Sequence, residues 1–183
     1  MSDLDLKRAS KFIALVLRHK PEVAGLTLDA EGWTEVEDLL RGLATAGRPL
    51  SRADLTALVE TDAKGRYALS PDGQRSRAQQ GHSVAVDLRL QTVTPPSRLY
   101  HGTVRSVLDA ILADGLRKMQ RHHVHLSPDV ETATAVGARR GKPVVLEVDA
   151  GAMAADGYVF LRSANGVWLT DAVPPYYLRH HQA

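Results

Sequence analysis

The chain has 183 residues, of which 44% are hydrophobic and 24% charged. This composition is typical of a globular protein and excludes a disordered or collagen-like chain. The absence of cysteine excludes a disulfide scaffold, a thiolate zinc site and a cysteine nucleophile. No apolar run is long enough to span a membrane, and the acidic start, Met1–Asp5, is unlike a secretory signal. We therefore expect a cytoplasmic, monomeric protein with no membrane partner.

Arginine dominates the positive charge of the chain. Of the 23 basic residues 17 are arginine, although the formal net charge is only +2. A guanidinium group is planar and permanently charged, so it binds two phosphate oxygens at once, although high-GC codon usage produces the same bias without any function. The stretches 64–89 and 117–142 are locally basic. This clustering predicts anionic ligands at particular places on the surface.

Three short helices are predicted in the first half of the chain. The spacing of apolar residues indicates a first helix that ends near Arg18–Lys20, because Pro21 cannot continue it. Thr34 and Glu37 have the spacing of a capping box for the second helix. Ser51 is expected to cap the third helix.

A hairpin is predicted after these helices. Its strands would cover 66–69 and 74–77, on either side of the turn sequence 70–73. Three helices followed by a hairpin is the element order of a winged helix-turn-helix. Any small helical lobe with a hairpin fits the same pattern equally well.

The second half of the chain has a different pattern, which begins after a proline-bearing linker at Val93–Ser97. A helix is expected over 104–113. Short runs rich in β-branched and aromatic residues predict strands at 99–102, 124–126, 144–148, 158–161 and 167–169, with a further candidate at 174–178. With one or two helices and many strands, this half is β-rich, and the predicted fold class of the whole chain is α+β.

Two groups of residues could carry chemistry. Arg18 and His19 place a fixed cation beside a titratable imidazole, which suits the binding of a phosphate during proton transfer, although a solvated helix end explains the pair as well. His122, His123 and His125 invite a metal site, but the carboxylates or thiolates that usually complete one are absent nearby. We expect no metal. No phosphate-loop or dinucleotide-binding glycine motif is present.

Several phrases of the sequence, in order, resemble those of the KptA-type RNA 2′-phosphotransferases. They span essentially the whole chain and are Leu17–Pro21, Gly32–Trp33, Lys64–Tyr67, Arg77–Ser83, Leu99–Thr103, His123–Ser127 and Val136–Val145. The resemblance implies an N-terminal winged-helix RNA-binding lobe over 1–92. It also implies a C-terminal, β-rich, ADP-ribosyltransferase-like lobe over 98–183 that binds NAD.

The resemblance further implies a two-step reaction without a metal ion. An internal 2′-phosphate of RNA attacks the nicotinamide ribose of NAD, which is a co-substrate, and expels nicotinamide. The ribose 2″-hydroxyl then attacks the phosphate of the ADP-ribosylated RNA. The products are RNA with a 2′-hydroxyl and ADP-ribose 1″,2″-cyclic phosphate.

Catalytic and binding residues are carried over motif by motif. The catalytic tetrad of the family, Arg-His-Arg-Arg, matches Arg18, His19, Arg66 and Arg139. The residues that would bind the nicotinamide half of NAD are His101, Gly102, Thr103 and Ser127. Position 140 is arginine where the family usually has histidine, so Arg140 stays an alternative to Arg139 as the last catalytic arginine.

Two other functions compete with this hypothesis. A non-enzymatic winged-helix module that binds nucleic acid would explain the basic hairpin, but it leaves Leu99–Thr103 and Val136–Gly141 without a purpose. An ADP-ribosyltransferase that modifies terminal nucleic-acid phosphates, or protein, would keep the NAD chemistry and change the acceptor. No glutamate motif typical of protein-modifying relatives is evident.

Overall fold

The chain, described over residues 3–181 in a computed structural model, divides into two compact units, Met1–Arg89 and Leu90–Ala183. The outermost residues of the predicted lobes, 1–2 and 182–183, lie outside the described residues. Helices and small antiparallel sheets are both present, so the fold class is α+β as predicted. Among the described residues, no helix is both long and apolar enough to cross a membrane.

The N-terminal unit packs three helices on a small sheet. Its sheet has the strand order β1-β3-β2, and the apolar faces of the helices bury residues such as Ile13, Leu39 and Leu55. The elements are α1 (Asp3–Arg18), a 3₁₀ turn (Pro21–Ala24), β1 (Thr34–Glu35), α2 (Val36–Thr45), α3 (Arg52–Thr61), β2 (Tyr67–Leu69) and β3 (Arg75–Ala78).

One of the two predicted helix caps is confirmed and the other is wrong. The Ser51 side chain accepts a hydrogen bond from Asp54 N–H, and the carboxylate of Asp54 completes the capping box. Thr34 does not cap α2, because it lies in β1 and pairs with Ser76. The Val36 N–H at the start of α2 instead donates to a backbone carbonyl 2.7 Å away in the hairpin. Sheet pairing therefore replaces the side-chain cap.

The C-terminal unit contains three helices and three small sheets over the described residues. The elements are β4 (Leu99–Val104), α4 (Arg105–Asp114), β5 (Leu116–Arg117), β6 (Val124–Leu126), α5 (Val130–Gly137), β7 (Pro143–Val148), α6 (Ala150–Ala155), β8 (Leu161–Arg162), β9 (Trp168–Thr170), β10 (Ala172–Val173), a 3₁₀ turn (Pro175–Tyr177) and β11 (Leu178–His180). The sheets have the strand orders β11-β7-β4, β6-β9-β8 and β10-β5.

This unit departs from the sequence predictions at several places. The predicted strand 158–161 is wrong over 158–160, because pairing starts at Leu161 and Phe160 is a buried core residue. Helices α5 and α6 make three helices where one or two were expected, and Asp129 and Asp149 cap them. The segment around Val93 belongs to this unit, since its N–H donates to the Phe160 carbonyl.

Two glycines bring β4 and α5 into backbone contact. A Cβ on Gly102 of β4 would overlap the carbonyl oxygen of Ala133 in α5. A Cβ on Gly137 would lie 2.7 Å from the carbonyl oxygen of Thr103, closer than real Cβ atoms come. Because neither residue has a side chain, the end of α5 lies directly beside His101–Thr103.

We predict that Gly102→Ala destabilises the C-terminal unit by about 3 kcal/mol, because backbone atoms cannot move aside as a flexible side chain can. Trp168 is buried in this unit, so its fluorescence in a Trp33→Phe background reports urea unfolding of this unit alone.

Gly151→Ala is the matched control. The nearest atom to its added Cβ is the Cα of Ser97 at 3.2 Å, so we expect a clearly smaller loss. Equal unfolding free energies for Gly102→Ala and the parent protein would contradict the close contact.

Candidate active site

In the N-terminal unit the structure brings Arg18, His19 and Arg66 together. Arg18 is the last residue of α1, and its Nη2 donates to the Arg66 carbonyl at 3.4 Å. Its guanidinium carbon lies 6.0 Å from the ring centre of Tyr67, within cation–π range. Arg66 immediately precedes β2, so the end of a helix and the start of a strand position the two guanidinium groups.

A carboxylate holds Arg66 in place. Asp62 forms an ion pair with the Arg66 guanidinium and also accepts from its backbone N–H at 2.6 Å. The Asp62 side chain is only 9% exposed, whereas that of Arg66 is 31% exposed. Arg66 is therefore anchored from the interior and keeps part of its guanidinium available to a ligand. No sequence motif indicated Asp62.

In the C-terminal unit, His101 lies on β4 and its Nδ1 donates to the His125 carbonyl at 3.1 Å. Because Nδ1 carries the proton, Nε2 of the neutral ring is an acceptor. Burial lowers the pKa of His101, the hydrogen bond to the His125 carbonyl opposes this shift, and the charges of Arg140 and Arg121 lower the pKa further. The neutral form of His101 is thus favoured, and its Nε2 can accept a hydrogen bond.

The other predicted NAD-binding residues lie on β4 or on the segment that pairs with it. Thr103 and Ser127 are buried, at 7% and 9% exposure. Ser127 and Tyr100 exchange two backbone hydrogen bonds, of 2.7 and 2.9 Å, which join the end of β6 to β4. The backbone of Ser127 therefore lies beside the strand that carries His101 and Thr103, while the visible contribution of Gly102 is the close packing of α5.

Arg121 is a second residue of interest that no sequence motif indicated. Its Nη1 donates to His125 Nδ1 at 3.0 Å, so that nitrogen of His125 carries no proton. Burial of the guanidinium lowers the pKa of Arg121, and the nearby charges of Arg140 and Arg139 lower it further. The sequence did contain an indication of Arg121, because this residue lies in the basic stretch 117–142, two residues before the motif His123–Ser127.

Arg139 and Arg140 follow the end of α5 and are both exposed. Among the residues that the structure describes, neither forms an ion pair, nor does Arg121. The charge of Arg140 acts on both His101 and Arg121, whereas that of Arg139 acts only on Arg121. Arg121 and Arg140 thus lie close enough to His101 to lower its pKa, and Arg139 lies close enough to Arg121 to lower the pKa of Arg121. No ion pair among the described residues neutralises these three guanidinium groups.

The neighbouring histidines do not belong to a cluster of metal-ligand side chains. Among the side chains that the structure describes, no group of three or more from histidine, cysteine, aspartate and glutamate could hold a metal ion. The rings of His122 and His123 lie edge to face, with centroids 6.4 Å apart. Burial lowers the pKa of His123, although the charge of Asp171 opposes that shift.

The lowered pKa of His101 predicts a loss of stability in acid. As pH falls below the ordinary histidine pKa of 6.5, His101 takes up a proton in the unfolded chain but not yet in the folded chain, where its pKa is lower. The stabilisation that neutral His101 gives the C-terminal unit should therefore be fully present above pH 6.5. The free energy of unfolding should decrease as pH falls from there toward the lower folded pKa. His101→Asn removes the titration and retains an N–H donor, so it should flatten this slope in urea unfolding followed by Trp168 fluorescence.

His123→Asn is the comparison variant, because burial lowers the pKa of His123 as well. Each variant should remove its own part of the slope. An unchanged slope in His101→Asn would show that His101 takes up its proton equally in the folded and unfolded chains.

Comparison with known proteins shows one consistent relationship. A probable RNA 2′-phosphotransferase of Hahella chejuensis is 56% identical, over 96% of this chain and 95% of the relative. One from Streptomyces griseus is 57% identical, over 93% and 94% of the two chains. One from Nostoc punctiforme is 49% identical, over 98% and 99%. The model of the RNA 2′-phosphotransferase, Tpt1/KptA family matches residues 5–172, and the chain belongs to this family.

Proposed function

We propose that the protein removes an internal 2′-phosphate from RNA by transferring it to NAD. The observation that carries the proposal is a pair of arginines, Arg121 and Arg140, in a chain of this family: their charges act on the imidazole of His101, and they form no ion pair among the described residues. Like charges repel each other, so an anion that binds beside both guanidinium groups relieves this repulsion. Phosphate oxygens match guanidinium groups in geometry as well as in charge.

Each unit is assigned one substrate. The N-terminal unit, with three helices followed by a three-stranded sheet, is proposed to be the winged-helix RNA-binding lobe. The C-terminal unit is proposed to be the ADP-ribosyltransferase-like lobe that binds NAD. The neutral Nε2 of His101 and the buried hydroxyls of Thr103 and Ser127 fit an uncharged ribose and carboxamide, which need hydrogen bonds and not charges.

In the first step, an oxygen of the RNA 2′-phosphate attacks C1″ of the nicotinamide ribose. The bond from C1″ to nicotinamide breaks and nicotinamide leaves with the electron pair. His101, Thr103 and Ser127 hold the ribose for this attack. Exact placement of the two reacting atoms contributes most of the acceleration here, because no proton has to move.

In the second step, the ribose 2″-oxygen attacks phosphorus and the bond to the RNA 2′-oxygen breaks. The proton of the 2″-hydroxyl passes to His19 and then to the departing RNA oxygen. The phosphorus passes through a crowded, more highly charged arrangement, which Arg18, Arg66 and Arg121 stabilise. We place Arg121 in this role ahead of Arg139, because a hydrogen bond to His125 holds its guanidinium in position.

The test is incubation of the purified protein with a short RNA that carries one internal 2′-phosphate. We expect release of 2′-hydroxyl RNA and ADP-ribose 1″,2″-cyclic phosphate that depends on NAD and persists in EDTA, since guanidinium groups supply the positive charge. RNA with only a terminal phosphate is the matched control. ADP-ribosylation of that control alone would favour the terminal-phosphate transferase. RNA binding without turnover would favour the non-enzymatic module. Loss of turnover in EDTA would show that the reaction requires a metal ion.

Arginine variants test the roles in the second step. Arg121→Ala should slow that step by two to three decades, the effect of about 3 kcal/mol from one lost donor, and ADP-ribosylated RNA should accumulate. Arg18→Ala and Arg66→Ala should act in the same way. Arg140→Ala should have a smaller effect and Arg139→Ala the smallest, as followed by gel separation of radiolabelled RNA.

The same series decides the assignment of the last arginine. Accumulation of the intermediate in Arg139→Ala, with normal turnover in Arg121→Ala, would return the role to the residue that the sequence motif indicated.

A further inference from the structure

The loop Gly81–Val84 closes the C-terminal end of α1. The backbone N–H groups of Ser83 and Val84 both donate to the Arg18 carbonyl, at 2.9 and 3.3 Å. This carbonyl belongs to the last turn of the helix, where the carbonyl groups have no partner within the helix. The neighbouring His82 is 1% exposed, and its Nε2 lies 3.4 Å from the position of a Cβ on Gly32. The loop is thus anchored in the interior on one side and to α1 on the other.

The side chain of Ser83 reaches the imidazole that follows Arg18. Its Oγ lies 2.9 Å from His19 Nδ1, a normal hydrogen-bond distance. His19 itself is exposed. A surface imidazole beyond the end of a helix would sample several rotamers without such a contact. The bond to an anchored loop favours the rotamer in which Nδ1 faces Ser83.

We propose that Ser83 is a positioning residue, which accepts a hydrogen bond from His19 Nδ1–H and so presents an unprotonated Nε2 to the substrate. The inference rests on the proposed function, in which His19 takes the proton of the ribose 2″-hydroxyl. A neutral imidazole accepts a proton only at the nitrogen that lacks one. With Nδ1–H fixed on Ser83, that nitrogen is Nε2, at the far side of the ring.

In the C-terminal unit, a hydrogen bond at Nδ1 fixes the tautomer of His101 in the same way. There the His125 carbonyl accepts from His101 Nδ1 and leaves Nε2 as the acceptor. At His19 a serine hydroxyl takes the place of the carbonyl. A hydroxyl can also donate, so the direction of this bond is a property to be measured.

The tautomer of His19 is measurable by nitrogen NMR of histidine-labelled protein at about pH 8.5, where imidazoles are neutral. A His19→Asn spectrum identifies its signals among the eight histidines. We expect a proton on Nδ1 and none on Nε2 in the parent protein and in Ser83→Thr. In Ser83→Ala the signals should move toward the Nε2–H form that free histidine side chains favour. A proton on Nε2 in the parent protein, or no change in Ser83→Ala, would overturn the proposal.

Kinetics give a second, independent readout. Ser83→Ala should slow the second step about tenfold and leave the KM for NAD unchanged, and Ser83→Thr should restore the rate. In a His19→Ala background, Ser83→Ala should have no further effect, since Ser83 acts through His19. Ser106→Ala, at an exposed position of α4, is the control and should change neither the tautomer nor the rate. Additive losses in the double variant would show that Ser83 acts by another route.

The two readouts separate the failure of this inference from the failure of the proposed function. The NMR result decides the hydrogen bond and its direction even when no 2′-phosphate is removed. Removal of the 2′-phosphate at the parent rate by Ser83→Ala, with a changed tautomer, would refute the positioning role and leave the proposed function intact.

Discussion

The backbone contact between β4 and α5 is the constraint on which the C-terminal site depends. Gly102 and Gly137 face each other's backbones, so strand and helix approach more closely than any pair of residues with side chains would allow. His101 and Thr103 flank Gly102 on the strand, and the exposed arginines follow Gly137 at the end of the helix. The lack of a side chain at Gly102 and Gly137 therefore determines how close the His101 imidazole lies to the arginines that follow α5.

The two units hold their cations by different means. In the N-terminal unit a nearly buried carboxylate, Asp62, fixes Arg66, and the opposite charges stabilise each other. In the C-terminal unit His125 holds Arg121 without a negative charge, and burial, together with the neighbouring guanidinium groups, lowers the pKa of Arg121. The first arrangement pairs opposite charges, whereas the second places like charges near one another.

Local patterns predicted most elements of the fold. Pro21 placed the end of α1, Ser51 placed the start of α3, and a short run rich in β-branched and aromatic residue types placed β6 at 124–126. Errors arose where a distant segment determined the structure. Thr34 could form a cap or pair with a strand, and the neighbouring hairpin decided for the strand. The run 158–160 has residue types that favour a strand, but it pairs with no strand among the described residues, and Phe160 packs in the core instead.

The sequence by itself determined which chemical groups the protein has and the family to which it belongs, because its motifs are contiguous and survive in a one-dimensional comparison. It also placed Arg18 beside His19, since neighbours in a chain stay neighbours in the fold. Only the tertiary structure decided that Ser83 faces His19 and that Arg121 lies near His101 and Arg140. His19 and Ser83 are 64 residues apart in the sequence, and Arg121, His101 and Arg140 belong to different strands and loops. Their proximity follows from loop closure, sheet pairing and the glycine contact, which depend on the whole chain being folded.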